Sequence, residues 1–315
     1  MRRYAARWAP ALVLLALCAG LALYTPNFLE LRNFVRIANA AAIPLILAIG
    51  ATFIIAMGSI DLSVEGVMSL GTMMVAMLAA NDSNANDWGW WAPLLAVLAG
   101  AALGLVNGFV HVALRIPSFM ATLGIWFVGL GIANTVLGGS AVRVMDSSIR
   151  DLALQRLLGL PNAVWVALAC FVLAYVIERK TPFGRHVFAI GGGEEIAALS
   201  GIRVRRVRII AFMLAGACYG IAGVLAAAQL GQSNAVIADG RLFMTVTAVV
   251  VGGTALTGGE GGVLNTLIGV LIVTILANGM VLLGVSPYMH QTVQGLMIIT
   301  AVALSTRRAR LRIVK

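Results

Sequence analysis

A chain of 315 residues that is 61% hydrophobic and only 11% charged, with a mean hydropathy of +0.98, is too apolar to be a water-soluble globular domain. Its net charge of +10 would suit a nucleic-acid binder, but the basic residues flank apolar runs instead of forming one patch, which excludes that reading. The expected fold class is all-α: a polytopic membrane protein with about ten transmembrane helices in one domain spanning 1–315.

The N-terminal stretch has a basic start (Arg2, Arg3, Arg7) and an apolar run from Ala9 to Tyr24. That run is long for the core of a signal peptide, and more apolar segments follow, so an uncleaved first span is expected. Spans are expected at 8–24, 39–57, 62–80, 91–110, 117–138, 161–178, 209–230, 242–256, 261–283 and 289–305. The eighth is short enough to be a broken or tilted helix.

With both termini cytoplasmic, 16 Lys and Arg fall in inside segments and 6 outside, the bias that orients membrane proteins. Trp8, Tyr24, Trp88, Trp90, Trp91 and Tyr288 sit at span ends, as interfacial aromatics do. Among the outside segments, 139–161 reads as a short amphipathic helix across the outer mouth, and 30–38 has the same look. Cys18, Cys170 and Cys218 each lie within apolar runs, far apart in sequence, and read as small hydrophobes rather than as a disulfide or metal site.

Two hairpins carry acids between spans. Gly58–Gly66 reads GSIDLSVEG, placing Asp61 and Glu65 four residues apart. Asp61 or Ser63 is the expected cap of the third span, whose dipole would favour a carboxylate there. An acid inside a membrane costs roughly 3 kcal/mol on insertion scales and is a functional candidate. A pair solvated at the inner interface, merely capping a helix, is an equally good reading. The second hairpin, GGTALTGGEGGVL over 252–264, sets Glu260 among glycines after Gly252 and Gly253. The two hairpins share a pattern and an orientation, so a repeat would be parallel. Small residues at spacing four, Gly100–Gly104–Gly108 and Gly216–Gly220, mark helix faces that can approach closely. No run matches GxxxxGK[ST], HExxH or GxSxG, so neither an ATP site nor a hydrolase nucleophile is expected, and no metal or cofactor. His111, His186 and His290 are isolated from one another and read as ordinary interface residues.

The longest cytoplasmic segment, 179–208, contains EEIAALS at Glu194–Ser200. Glu194 and Glu195 fall in a first turn, and Gly201 is a natural stop. So short a helix is not stable alone in water, so Glu194, Glu195, Ala197, Ala198, Leu199, Ser200 and Gly201 need a partner surface, either the rest of this protein or another one. Gly191–Gly193 reads as a flexible entry, and Arg203, Arg205, Arg206 and Arg208 as an anchor at an anionic leaflet.

Three blocks carry a family resemblance. TPFGRHVFAIGGGEEIAALSGIRVRRVRIIAFMLAGACYGIA (181–222) resembles the cytoplasmic coupling loop of ribose-type ABC transporter permeases. GSIDLSVEGVMSLG (58–71) and VVVGGTALTGGEGGVLNTLIGVL (249–271) resemble two of that family's hairpins, in the same order and spacing. The resemblance implies the permease subunit of a bacterial inner-membrane importer for a simple sugar or related polar solute, with no catalysis of its own. Its implied partners are two ATP-binding subunits, a second permease chain, identical or related, and a periplasmic solute-binding protein. Residues 194–200 would be the coupling helix. Glu65 stands where the family usually has Gly, Ser59 replaces a second Gly, Gly193 a usual Asn and Ala198 a usual Arg. The other reading is a secondary transporter in which Asp61 and Glu65 carry a coupling proton.

Overall fold

The computed structural model describes residues 2–234 and 236–286 and, beyond them, scattered positions between 289 and 303. The tenth expected span, Tyr288, His290 and the basic tail after 306 fall outside the described residues, apart from those scattered positions.

The described chain is helical throughout its length: α1 (Arg2–Tyr24), α2 (Leu31–Ala56), α3 (Val64–Leu78), α4 (Trp91–Ala113), α5 (Ser118–Leu137), α6 (Ser147–Leu154), α7 (Asn162–Lys180), α8 (Pro182–Gly192), α9 (Glu194–Leu199), α10 (Val204–Leu230), α11 (Arg241–Val251) and α12 (Val263–Leu282). Among the described residues, α2, α4, α5, α7, α10 and α12 are long and apolar enough to cross a membrane, and α1, α3 and α11 contribute shorter apolar stretches. These nine helices overlap the first nine expected spans, although α2 begins at Leu31 and not at 39 and α11 ends at Val251 and not at 256. The eighth, α11, has only 11 residues and ends at Val251, about 16 Å of helix, too short to cross a bilayer alone.

Segment 30–38 departs from expectation. It is not a separate surface helix but the opening of α2. Asn33 is buried there; its side chain donates to the Phe28 carbonyl (3.0 Å) and accepts from Asn278 of α12 (3.1 Å), drawing these turns into the bundle. Segment 139–161 does contain the expected amphipathic helix, α6. Asp146 accepts at its start from Ser148 N (2.9 Å), and Ile149 and Ala153 are buried beneath it. Strand β1 (Val142–Arg143) just before it pairs antiparallel with a strand, numbered β2 here, at Gln232–Ser233, stitching it to the segment after α10.

Burial separates centre from rim. The apolar window of α2 is 83% buried, against 22% for α7, so α2 is the central helix and α7 presents most of its surface outward. The other organising helix is α10, which packs along α4, α3 and α2. Its contact with α4 is backbone against backbone. A Cβ on Gly104 would strike the Phe212 carbonyl, and one on Gly216 the Gly100 carbonyl. The two small-residue rows seen in the sequence are thus mates. A second close crossing joins α3 to α5, where Gly66 and Gly129 leave room for the facing backbones at Trp126 and Gly66. Gly124 and Gly131 face open space.

The seam between α4 and α10 yields a paired prediction. Gly216→Val inserts atoms where backbone already sits and is expected to cost at least ~1–3 kcal/mol, lowering the melting temperature in detergent by several degrees. Gly124→Ala should leave it unchanged. Equal melting of both variants in a fluorescence-detected size-exclusion assay would show that the seam is looser than described.

Candidate functional site

The first hairpin begins where α2 ends. Gly58, at φ +75°, accepts the left-handed turn, and the amides of Gly58 and Ser59 return to the carbonyls of Ile55 (2.9 Å) and Ile54 (3.2 Å). This is the pair of bonds of a Schellman stop. Two following amides are satisfied from the first turns of α5: Ile60 N donates to Ser118 Oγ and Leu62 N to Thr122 Oγ1, each at 3.0 Å.

Asp61 is 4% exposed. Its Oδ1 accepts from Ser63 N (2.8 Å) and Ser63 Oγ (2.6 Å), and its Oδ2 accepts from the Tyr219 hydroxyl on α10 (3.0 Å). Asn107 of α4 adds a bond to Ser63 Oγ at 3.3 Å. The expected side-chain cap on α3 is therefore not made. Ser63 occupies the cap position without a capping bond, because its hydroxyl is committed to Asp61. The pair forms a local turn tied to α4 and α10.

Glu65, in the first turn of α3, is 8% exposed and reaches a different helix: its Oε1 accepts from Leu242 N at 3.0 Å. A carboxylate borrowed from α3 thus satisfies one of the orphan amides at the start of α11, where the backbone dipole favours it. Neither acid of the first hairpin is solvated. The sequence does not single out a third acid of the same kind. Glu178, buried near the end of α7, accepts from Val263 N at the start of α12 and pairs with Arg179 Nε at 3.1 Å.

The second hairpin repeats the first one's exit. Gly253, at φ +102°, and Thr254 return their amides to Val250 (2.9 Å) and Val249 (3.2 Å), another Schellman stop. Gly252 packs against the Asn265 backbone of α12. The Glu260 carbonyl accepts from Ala255 N at 3.2 Å, closing the turn. The two hairpins meet: Gly259 N donates to the Ala56 carbonyl at 2.9 Å, and Gly258 lies against Gly58 N.

Segment 179–208 comes to the same point. Its entry is not the flexible glycine run expected. Gly191 and Gly192 are the last residues of α8, and a Cβ on Gly191 would strike the Ala56 carbonyl and Gly259 N. Glycine there serves close approach, with Val187 and Ile190 buried in the core. Gly193 links α8 to α9. The stop of α9 is as expected: Gly201, at φ +83°, and Ile202 return amides to Ala198 (3.0 Å) and Ala197 (3.1 Å), and Ser200 Oγ bonds to the Ile196 carbonyl. Of α9 only Ala197 is buried. Glu194, Glu195, Ile196, Ala198, Leu199 and Ser200 are exposed, Leu199 by 89%. Arg208, read from sequence as part of an anchor, instead donates to Glu194 Oε2 at 2.7 Å and holds α9 to α10.

With this geometry in hand, comparison with known proteins is decisive. The family model described as branched-chain amino acid transport system / permease component matches residues 33–302. The chain belongs to this permease family. It is 37% identical over 280 residues to the probable ABC transporter permease protein YphD of Escherichia coli (strain K12), covering 89% of this chain and 83% of that protein. It is 33% identical over 301 residues to the ribose import permease protein RbsC of the same strain, covering 94% and 92%. It is also 33% identical over 281 residues to that strain's L-arabinose transport system permease protein AraH, covering 89% and 84%. No solved structure matches the chain. The ribose-type resemblance read from the three motif blocks holds. The chain is a multi-pass transport permease of the ABC class and not an enzyme.

The borrowed caps can be tested directly. Glu65→Ala leaves Leu242 N–H buried without an acceptor, which is expected to cost about 1–3 kcal/mol. Hydrogen exchange at the first amides of α11 should accelerate, while Glu65→Gln, which keeps an acceptor oxygen, should lie between the alanine variant and wild type. Unchanged exchange in the alanine variant would mean that α11 does not depend on this carboxylate.

Proposed function

We propose that this chain is the permease of an importer for a simple sugar or a related polar solute, in a bacterial inner membrane, with ten spans and both termini cytoplasmic. In this reading it pairs with a second permease chain, identical or related, to form the path. Two ATP-binding subunits drive it, and a periplasmic solute-binding protein delivers the solute. The domain is single, and 179–208 is its coupling loop. The names of the ribose and arabinose relatives support the solute class.

The observation that carries the docking part is the exposed edge of α9. A six-residue helix has too few internal bonds to persist by itself, yet this one is fixed at both ends, by the Glu194–Arg208 pair and by the Gly201 stop. It nevertheless holds Ile196 and Leu199 out into solvent. Apolar side chains on a fixed, protruding helix suit a groove in a partner. A push on α9 passes through Gly193 to α8, and from Gly191 to Ala56 and Gly259, where the hairpins holding Gly58, Asp61, Ser63, Glu65, Gly252, Gly253 and Glu260 converge. Binding and hydrolysis of ATP in the partner would thereby shift the two hairpins together.

The proton-coupled reading has less support. A proton carrier needs access to water in turn from each side, whereas Asp61 is held by three donors and Glu65 is engaged as a cap.

Leu199→Arg in the full complex is expected to abolish co-purification of the ATP-binding subunit while the permease elutes unchanged. Ile196→Glu should act alike, and Gly131→Ala should do neither. Retention of the subunit by both α9 variants would sink the docking assignment, and solute uptake by the permease alone in a proton gradient would restore the competing one.

A further inference from the structure

Beside α9 lies a cavity of about 800 Å³ whose walls come from three places in the sequence: the end of α4 and the turn after it (His111, Arg115), α9 (Glu194, Ala198), and the start of α10 (Arg203, Arg205, Arg206, Arg208). Five arginines line it with one glutamate. Among the described residues, Glu194 is the carboxylate paired there, and its partner is Arg208. Among the described residues, Arg115, Arg203, Arg205 and Arg206 are exposed and have no carboxylate partner.

Three features separate this from a diffuse basic belt. Arg115 stands some ninety residues away in sequence from the other arginines. It holds φ +55° directly after the cap of α4, the left-handed position at which many helices stop, and so is carried to the cavity by the end of that helix. Among the described residues, Arg208 Nε is buried without a hydrogen-bond partner, while His111 Nδ1 donates to the Ile116 carbonyl at 2.6 Å. Buried polar atoms are normally satisfied, so this orphan donor beside an arginine-lined cavity is short of one acceptor. The volume is also far beyond one phosphate and within the range of small-molecule sites.

We propose that this cavity binds a ligand carrying two phosphate groups, held by the guanidinium forks of Arg115, Arg203 and Arg206. Guanidinium groups match phosphate oxygens two at a time. A diphosphate suits the four unpaired arginines and the volume better than a single anion does. The chemistry is shared by a membrane lipid with two phosphodiesters, whose headgroup would enter from the bilayer side, and by a soluble diphosphate. The site adjoins the proposed docking helix but needs no partner subunit, so it is tested on the permease alone.

The full chain is placed in nanodiscs of phosphatidylcholine, with or without a minor fraction of cardiolipin. Pyrophosphate binding is followed by calorimetry in the former, and retained cardiolipin by native mass spectrometry in the latter. Wild type is expected to bind at least one of the two. Arg115→Gln with Arg203→Gln should weaken that binding roughly tenfold or more, whereas Arg185→Gln, a basic residue off the cavity wall, should leave it unchanged. Elution at the wild-type volume checks that the double variant folds. Cardiolipin retention without pyrophosphate binding identifies the source as lipid, and the reverse identifies it as soluble, each supporting the site. Binding of neither probe overturns the proposal, and so does equal loss in Arg185→Gln, which would reduce the arginines to a general anchor.

Discussion

A helix that begins inside an apolar protein leaves amides pointing at nothing, and much of this architecture answers that one constraint. Backbone donors cannot be left bare where water is excluded. Here the acceptors come from other elements. Glu65 serves α11, Glu178 serves α12, and Ser118 and Thr122 serve the hairpin that leads into α3. Each such bond also fixes the position of one element against another. Of the acids that look from sequence like carriers of transport chemistry, Glu65 registers α3 to α11 and Asp61 ties its hairpin to α10, while Glu178, which does not stand out in the sequence, registers α7 to α12.

The two hairpins can be understood in the same terms. Both leave a helix through a left-handed glycine and return their amides to the last turn, so their stops need no side chain. That frees each turn to be small, and small turns can touch. Ala56 is where this has its effect, since its carbonyl receives Gly259 N and lies under Gly191. One residue therefore sits at the junction of both hairpins and α8, and a bulky side chain at Gly191, Gly258 or Gly259 would part them.

Much of this was legible in the chain before folding, and the remainder was not for identifiable reasons. Span positions follow from hydropathy, which depends on local composition. The glycine rows of α4 and α10 have the helical period, so each is readable alone, but nothing local states that they face each other. Glu178 escaped notice because it stands next to Arg179 and Lys180, where it looks like part of a charged flank. The bond from Glu194 to Arg208 spans 14 residues, too far for helical spacing to suggest it, and so Arg208 read as one more anchoring charge. Segment 30–38 misled because Arg32 and Arg36 gave it a polar side, while the buried bonds of Asn33 decide its fate.

The seam between α4 and α10 has a mechanical meaning. Helices that touch through side chains can slide as rotamers exchange, one ridge passing another. At Gly100, Gly104 and Gly216 the carbonyls of one helix rest against the glycine backbone of the other, with no side chain between them. Such a joint is stiff to translation along its length, so α4 and α10 form one beam. The glycine turns around Ala56 lie outside this beam, so the closest backbone contacts fall into two separate places, one along α4 and α10 and one where the hairpins meet α8.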